Sequence, residues 1–350
     1  MRRKKVSLAD IAQEAGVSLM TVSRALHGVF GVSDELQKKI QAIAEEKGYV
    51  PSRNLFDLKK RRLTKVVGFV LPQLSNTFFP QLYEAIDRFF TEKGWRVHLC
   101  CSYNSTIREY RTLSSLLEMG VDGLLWCPVK SKGYVHFRKT LREVNIPLVF
   151  VDRKVRDFEA DSVVVNDYET MLALTRHLIS QGKRRIAYLG DTGPDSWVAR
   201  ERQAGYVMAL HEAHLPIRPE LILNVGSDWE NGARGTRELL NHEIDAICCY
   251  NDPLAIGAEK ELLARGYKIP DDIALVGFSD VLATQIATIP ITTAHQDAAQ
   301  IGVEASRLLH NRIISPRGIK GVMNKVIPTE LVFRQSTRGP KGTLPDEVLT

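Results

Sequence analysis

The sequence predicts two unlike parts in one chain: an N-terminal all-α head built as a helix-turn-helix, and an α/β body of two doubly wound parallel-sheet subdomains. Three observations lead there. Residues 1–62 carry 13 Lys or Arg against 7 Asp or Glu while the remainder carries 34 of each, so the whole formal charge of +6 sits in the head. Short helical periods punctuated by Gly and Ser fill that basic segment. From Lys65 onward, continuous apolar runs alternate with amphipathic stretches in two successive series. Such asymmetry points to a polyanion, with nucleic acid leading, as partner of the head and to a separate task for the body.

Composition narrows the class. With 350 residues, 44% of them hydrophobic and 25% charged, the chain is long enough for two or three folded domains. Its apolar runs, such as 65–71, fall far short of the roughly 18 residues a membrane span requires. Met1-Arg2-Arg3-Lys4-Lys5 is cationic, but no secretory apolar core follows it, so a cytoplasmic location and no membrane partner are expected. Cys100, Cys101, Cys127, Cys248 and Cys249 match neither a disulfide framework nor a metal spacing and read as reduced, buried strand residues. No cofactor or metal is expected.

The head can be justified element by element. Ser7-Leu8-Ala9-Asp10 is a capping box, and Leu8, Ile11, Ala12 and Ala15 recur at helical spacing up to Gly16. Ser18 is a second cap, with Val22, Ala25 and Leu26 on the inner face of a helix that stops near Gly28. A third helix follows Ser33, with Asp34 and Glu35 in its first turn, and buries Leu36, Ile40, Ile43 and Ala44 before Gly48. In a helix-turn-helix the second helix enters the major groove, which makes Leu19, Met20, Thr21, Ser23 and Arg24 its outward candidates. Arg24 suits a forked contact to guanine, whereas Leu19 and Met20 read only apolar features such as thymine methyls.

The run Val6-Ser-Leu-Ala-Asp-Ile-Ala-Gln-Glu-Ala-Gly-Val-Ser-Leu-Met-Thr-Val-Ser-Arg-Ala-Leu26, followed by Gly48-Tyr-Val-Pro51, resembles the N-terminus of the LacI/GalR family of transcription repressors. The resemblance implies a homodimer on double-stranded operator DNA, with Ser7 and Ser18 among the DNA contacts. It also implies that Ser52 to Arg62 forms a hinge helix on the operator, where Leu58 matches the leucine that wedges into the minor groove. Ser52, Arg53, Leu55 and Lys59 join that contact set, and the basic run through Arg62 holds phosphates. Ser52, Leu55, Phe56 and Asp57 depart from the family's usual hinge residues.

In the body, apolar runs at 65–71, 96–101, 122–127 and 146–151 form one βαβ series, and 185–190, 221–225, 245–250 and 273–277 a second. Such sheets bind ligands beyond the carboxyl ends of their strands, so a crevice between facing halves is the expected small-molecule site. Asn76-Thr-Phe-Phe79, Val151-Asp-Arg153, Tyr250-Asn-Asp252 and Val276-Gly-Phe-Ser-Asp280 are similar to the periplasmic-binding-protein-like regulatory domain of the same family. That resemblance assigns effector contacts to Phe78, Phe79, Asp152, Arg200, Trp229, Asn251, Ser279 and Gln296. Ser279 stands where the family usually has a carboxylate. With Arg153, Arg200 and Arg202 nearby, this shifts the expected effector from a neutral sugar toward a sugar acid or phosphosugar.

The expected domains are a head at 1–51, a hinge at 52–63, an effector-binding body at 64–338 and a tail at 339–350. Within the body the N-subdomain takes about 64–165 and 294–325, and the C-subdomain about 166–293 and 326–338. The tail lacks sustained leucine heptads, which favours a dimer over a tail-zippered tetramer. An enzyme or a sugar-binding protein on the same two-lobed fold is the rival. No dinucleotide, P-loop, nucleophile-elbow or zinc-protease motif is present to support catalysis, and the basic head argues against a purely sugar-binding protein.

Overall fold

A computed structural model describes residues 6, 8–27, 32–47, 63–191, 195–315 and 321–337. In the head, α1 (Leu8–Ala15) ends at Gly16, whose φ of +71° is the left-handed conformation that closes a helix. The Val17 N–H then returns to the Ala12 carbonyl at 3.0 Å. α2 (Leu19–His27) is capped by Ser18, whose Oγ accepts the Thr21 N–H at 3.1 Å. α3 (Asp34–Lys47) is entered through Ser33, whose Oγ accepts the Leu36 N–H at 3.4 Å. Ile11, Ala12, Ala15, Val22, Ala25, Ile40, Ile43 and Ala44 bury one shared core, and its four alanines let three short helices approach closely. The expected helix-turn-helix is present.

The strands of the body are β1 (Val66–Leu71), β2 (Arg96–Cys101), β3 (Gly123–Trp126), β4 (Leu148–Val151), β5 (Asp161–Val165), β6 (Ile186–Gly190), β7 (Ile222–Asn224), β8 (Ala246–Cys249), β9 (Ala274–Val276), β10 (Thr293–His295), β11 (Asn324–Ile327) and β12 (Glu330–Val332). One sheet has the order β11-β5-β4-β3-β1-β2, a second β7-β6-β8-β9, and β10 pairs with β12 alone. Pairing is parallel from β2 through β1, β3 and β4 to β5, and throughout the second sheet; β10 and β12 run antiparallel. The doubly wound architecture is thus the one anticipated. The chain divides into two compact units: described parts of Met1–Leu74, Leu82–Val163 and Ile301–Lys325 form one, and of Ser75–Gln81, Val164–Gln300 and Val326–Thr350 the other.

Both units use the same device to start a central strand. Asp122, just before β3, accepts the N–H groups of Thr64 at 3.2 Å and Lys65 at 2.7 Å as the chain enters β1. Asp245, just before β8, accepts those of Arg184 at 2.9 Å and Arg185 at 2.9 Å as the chain enters β6. Each carboxylate satisfies backbone donors at the bottom of a sheet, where no strand partner remains to do so.

In the second unit, α9 (Trp229–Leu239) and α10 (Asp252–Ala264) meet backbone to backbone. A Cβ at Gly257 would lie 1.9 Å from the Trp229 carbonyl oxygen, and one at Gly232 would lie 2.3 Å from that of Leu254. Asp252, fully buried at the start of α10, ties the segment after β9 to that helix. Its Oδ2 accepts the Val281 N–H at 2.8 Å and its Oδ1 accepts the Thr293 hydroxyl at 2.6 Å. Burial pushes this carboxyl up to about 6 despite those donors.

Two outcomes follow. Gly257→Ala should cost about 1–3 kcal/mol by overpacking, read as a lower urea midpoint at unchanged slope, and an unmoved midpoint would refute the close approach. Because the folded carboxyl of Asp252 titrates above its unfolded value, its stabilising contribution is complete below about pH 4 and is lost as pH rises through about 6. Chemical unfolding of wild type and Asp252→Asn should therefore show their stability difference moving in the variant's favour between pH 4 and 7. A pH-independent difference contradicts this.

Candidate functional site

On the head, Ser18 and Thr21 are turned toward each other, their hydroxyls 2.8 Å apart, while Leu19 and Met20 stand out in solvent. Ser23 and Arg24 fall within α2, but their side chains lie outside the described residues, as do Ser7, Ser52, Arg53, Leu55, Leu58 and Lys59. Lys47 is paired with Glu14 and so carries its own counter-charge.

In the second unit, Asn251 and Ser279 follow the carboxyl ends of β8 and β9. Asn251 caps α10: its Oδ1 accepts the Leu254 N–H at 3.0 Å and its Nδ2 donates to the Ser227 carbonyl at 2.9 Å. That second bond ties it to the segment opening α9, where Asp228 caps the helix and Trp229 is 45% exposed beneath the Lys260 ammonium at 4.8 Å. Ser279 and Asp280 both have positive φ, +128° and +58°, a conformation that L side chains rarely adopt. The turn is held by Arg334, donating to Asp280 Oδ1 at 2.5 Å, and by His295 Nδ1 at 3.1 Å from Oδ2.

The Ser279 hydroxyl donates to Gln296 Oε1 at 2.8 Å. Gln296 is 4% exposed, and its Nε2 has no hydrogen-bond partner among the described residues. A buried amide donor left unmatched in this way is unfavourable, so an acceptor placed there is favoured by about 0.5–1.5 kcal/mol net. Phe78 and Phe79 open α4 (Phe78–Glu92), where the Phe78 N–H donates to Asn76 Oδ1 at 3.1 Å. Both rings are buried and stack edge to face at 5.3 Å.

Two arginines invoked for an anionic effector carry their own carboxylates. Arg202, on α8 (Trp197–Glu212), donates to Asp167 at 2.7 Å and to the Tyr250 carbonyl at 2.6 Å, with its guanidinium 3.5 Å over the Phe278 ring. In the first unit, Asp152 is buried with φ +65°, accepts the Cys127 thiol at 3.6 Å and lies 3.4 Å from Arg153 Nε. Arg202, rather than half-exposed Arg200, is therefore the arginine fixed among the strand ends that carry Asn251 and Ser279. The periodicity of α8 contains that signal. Val198, Arg202, Tyr206 and Ala209 fall on one inward stripe, and Arg200 falls off it.

Among the described residues, no group of three or more His, Cys, Asp or Glu is placed to hold a metal ion, and no helix is long and apolar enough to cross a membrane. Residues 7–52 match the bacterial regulatory proteins of the lacI family, and residues 64–335 match the periplasmic binding proteins and sugar binding domain of LacI family. The chain is 29% identical to the HTH-type transcriptional regulator DegA of Bacillus subtilis over 336 residues, covering 95% of this chain and 98% of that one. It is 28% identical to the HTH-type transcriptional repressor PurR of Actinobacillus pleuropneumoniae over 335 residues, with 95% and 98% coverage. A solved complex of the transcriptional regulator CelR with cellobiose superposes with a TM-score of 0.73 at 27% identity, covering 95% of this chain and 100% of the other. With a helix-turn-helix of the right spacing and a doubly wound body both matched along their length, the chain belongs to the LacI family of DNA-binding transcriptional regulators.

Proposed function

We propose that the protein is a homodimeric, effector-responsive repressor of carbohydrate or sugar-acid catabolic genes, acting in the cytoplasm. It binds a near-palindromic operator through the head at 1–51 and the hinge at 52–63, and senses its effector through the body. Two symmetric heads suit a near-palindromic site because each reads one half-site. The sensing half rests on one observation: the buried, unmatched amide donor of Gln296, whose Oε1 accepts the Ser279 hydroxyl of the strained Ser279–Asp280 turn.

An acceptor oxygen of the effector satisfies Gln296, and Trp229 offers a flat face to the C–H side of a ring. Asn251 spends its hydrogen bonds on the Leu254 N–H and the Ser227 carbonyl, so within the second unit it shapes the site more than it offers an unspent bond. With Arg202 balanced by Asp167, the strand ends of the second unit that carry Asn251 and Ser279 favour a neutral sugar over a sugar acid or phosphosugar. Effector binding shifts the balance between DNA-competent and DNA-incompetent states, for which a coupling of about 1–3 kcal/mol is sufficient.

Titration of the operator-bound protein with neutral sugars and their acid and phosphate forms should change DNA affinity at lower concentrations of the neutral forms; the reverse order overturns the charge argument. Gln296→Leu should raise the half-effective concentration of the active compound about 5–10-fold, the size of one lost hydrogen bond, and an unaltered titration removes Gln296 from the site. On DNA, Arg24→Ala should relax base choice at one position per half-site. Lys59→Ala should instead weaken all sequences alike and lower the salt slope by about one. Equal losses on specific and random duplexes for Arg24→Ala would refute its assigned role.

A further inference from the structure

Within the first compact unit the head touches α5 (Thr106–Met119) of the body, and Arg111 makes that contact. Its Nη2 donates to the Ala25 carbonyl of α2 at 3.3 Å. With its amide oxygen toward the guanidinium, Gln41 of α3 accepts from Arg111 Nε at 2.9 Å and from Nη2 at 3.2 Å. Ala25 carries one of the last four carbonyls of α2, which have no partner inside the helix, and Gln37 Nε2 donates to the same oxygen at 3.1 Å. The negative end of the helix dipole therefore faces a cation. Gln41 is 6% exposed, a depth at which its amide oxygen needs a donor. A guanidinium set against a segment of charge +6 is held there by these directed acceptors and not by general attraction.

α5 is a firm base for such a grip. Ser105 caps it, and Glu109, Leu113, Leu116 and Leu117 bury its inner face. Glu109 also accepts Trp126 Nε1 at 2.9 Å and the Val129 N–H at 2.8 Å where β3 ends. Arg111 lies off that buried stripe. On the head, the gripped carbonyl lies about 9 Å along α2 from Leu19, so the exposed first turn of that helix is left clear. We propose that Arg111 is a positioning residue for DNA binding: it docks the head on the body in a DNA-competent orientation without touching DNA itself. A head held only by its covalent tether samples orientations that do not bind, and affinity falls with the fraction that is competent. The inference rests on DNA binding by the chain and adds how the head is presented to the duplex.

The test uses the full-length protein and the duplex it selects from a random pool, with affinity measured across a range of salt. Arg111→Ala should weaken binding about 5–10-fold, the range of one partly exposed hydrogen bond, at an unchanged salt slope and with unchanged base preference. Gln41→Ala breaks the same contact from the head side with Arg111 intact, and should weaken binding in the same way. In a double-mutant cycle the two losses should overlap, so that Arg111→Ala costs less on the Gln41→Ala background than alone. Unchanged or tighter binding in Arg111→Ala overturns the inference, tighter binding marking the contact as inhibitory. A salt slope lowered by about one makes Arg111 a phosphate contact and overturns it as well. Losses that simply multiply in the cycle do the same, because they separate the two side chains. In all these cases DNA binding by the chain stands, whereas a protein that shifts no duplex at all overturns both.

Discussion

The strand ends of the second unit are organised around a single buried guanidinium. Arg202 reaches Asp167 at the start of α7 (Asp167–Ser180), the Tyr250 carbonyl where β8 stops, and the face of Phe278 after β9, so one side chain joins four segments distant in sequence. Both partners of the ion pair are almost wholly buried, at 4% and 2% side-chain exposure. At that depth the attraction between the charges is largely spent on desolvation, so the pair's net stabilisation is small. Its necessity is nonetheless large, because removing one partner strands the other charge at a cost of about 3–5 kcal/mol. The arrangement specifies position more than it adds stability. A planar, always-charged fork is the side chain suited to that role.

What it positions is a turn that the backbone would not adopt unaided. Ser279 and Asp280 occupy positive φ in succession, each costing on the order of 1–3 kcal/mol. Their neighbours meet that cost with directed bonds: Asp252 to the Val281 N–H, Arg334 and His295 to Asp280, and the Ser279 N–H to the Ala294 carbonyl at 2.9 Å. The result is a serine hydroxyl aimed at Gln296 Oε1, which commits the amide's oxygen and leaves its Nε2 as an unmet donor. Strain, buried charge and an orphaned amide therefore belong to one continuous construction.

Much of this was legible in the sequence, and unevenly so. The head was read almost to the residue, since its stops and caps (Gly16, Ser18, Ser33) act locally and its core repeats with helical period. The eight strands of the two apolar series were equally plain. β5, β10, β11 and β12 were not, because polar residues interrupt each of them and distant partners fix them. Arg312, for example, holds Asp161 of β5 at 2.6 Å across 151 residues. The site fell between these extremes. The resemblance named Asn251, Trp229, Ser279 and Gln296 as candidates, but how each spends its hydrogen bonds is a tertiary matter. Arg200 was carried over from the resemblance, whereas the buried stripe of α8 turns Arg202 inward, a tertiary placement that the motif alone does not reveal.

The unmet chemistry of the site is also commensurate with its task. One hydrogen bond restored at Gln296 contributes about 0.5–1.5 kcal/mol net, less than a regulator's coupling often requires. Asn251 and Arg202 have little further to give, since their described bonds already satisfy the frame. The remaining reservoir is Trp229, still 45% exposed and polarised by the Lys260 ammonium at 4.8 Å. Covering about 100 Å² of apolar surface there adds roughly 2–3 kcal/mol. Together the two sources reach the coupling range, but only if they are realised in one functional state and not in the other, because contacts made equally in both shift nothing. Under the proposed function, a small polar ring with one acceptor oxygen and one apolar face is therefore the kind of effector that would draw on both sources.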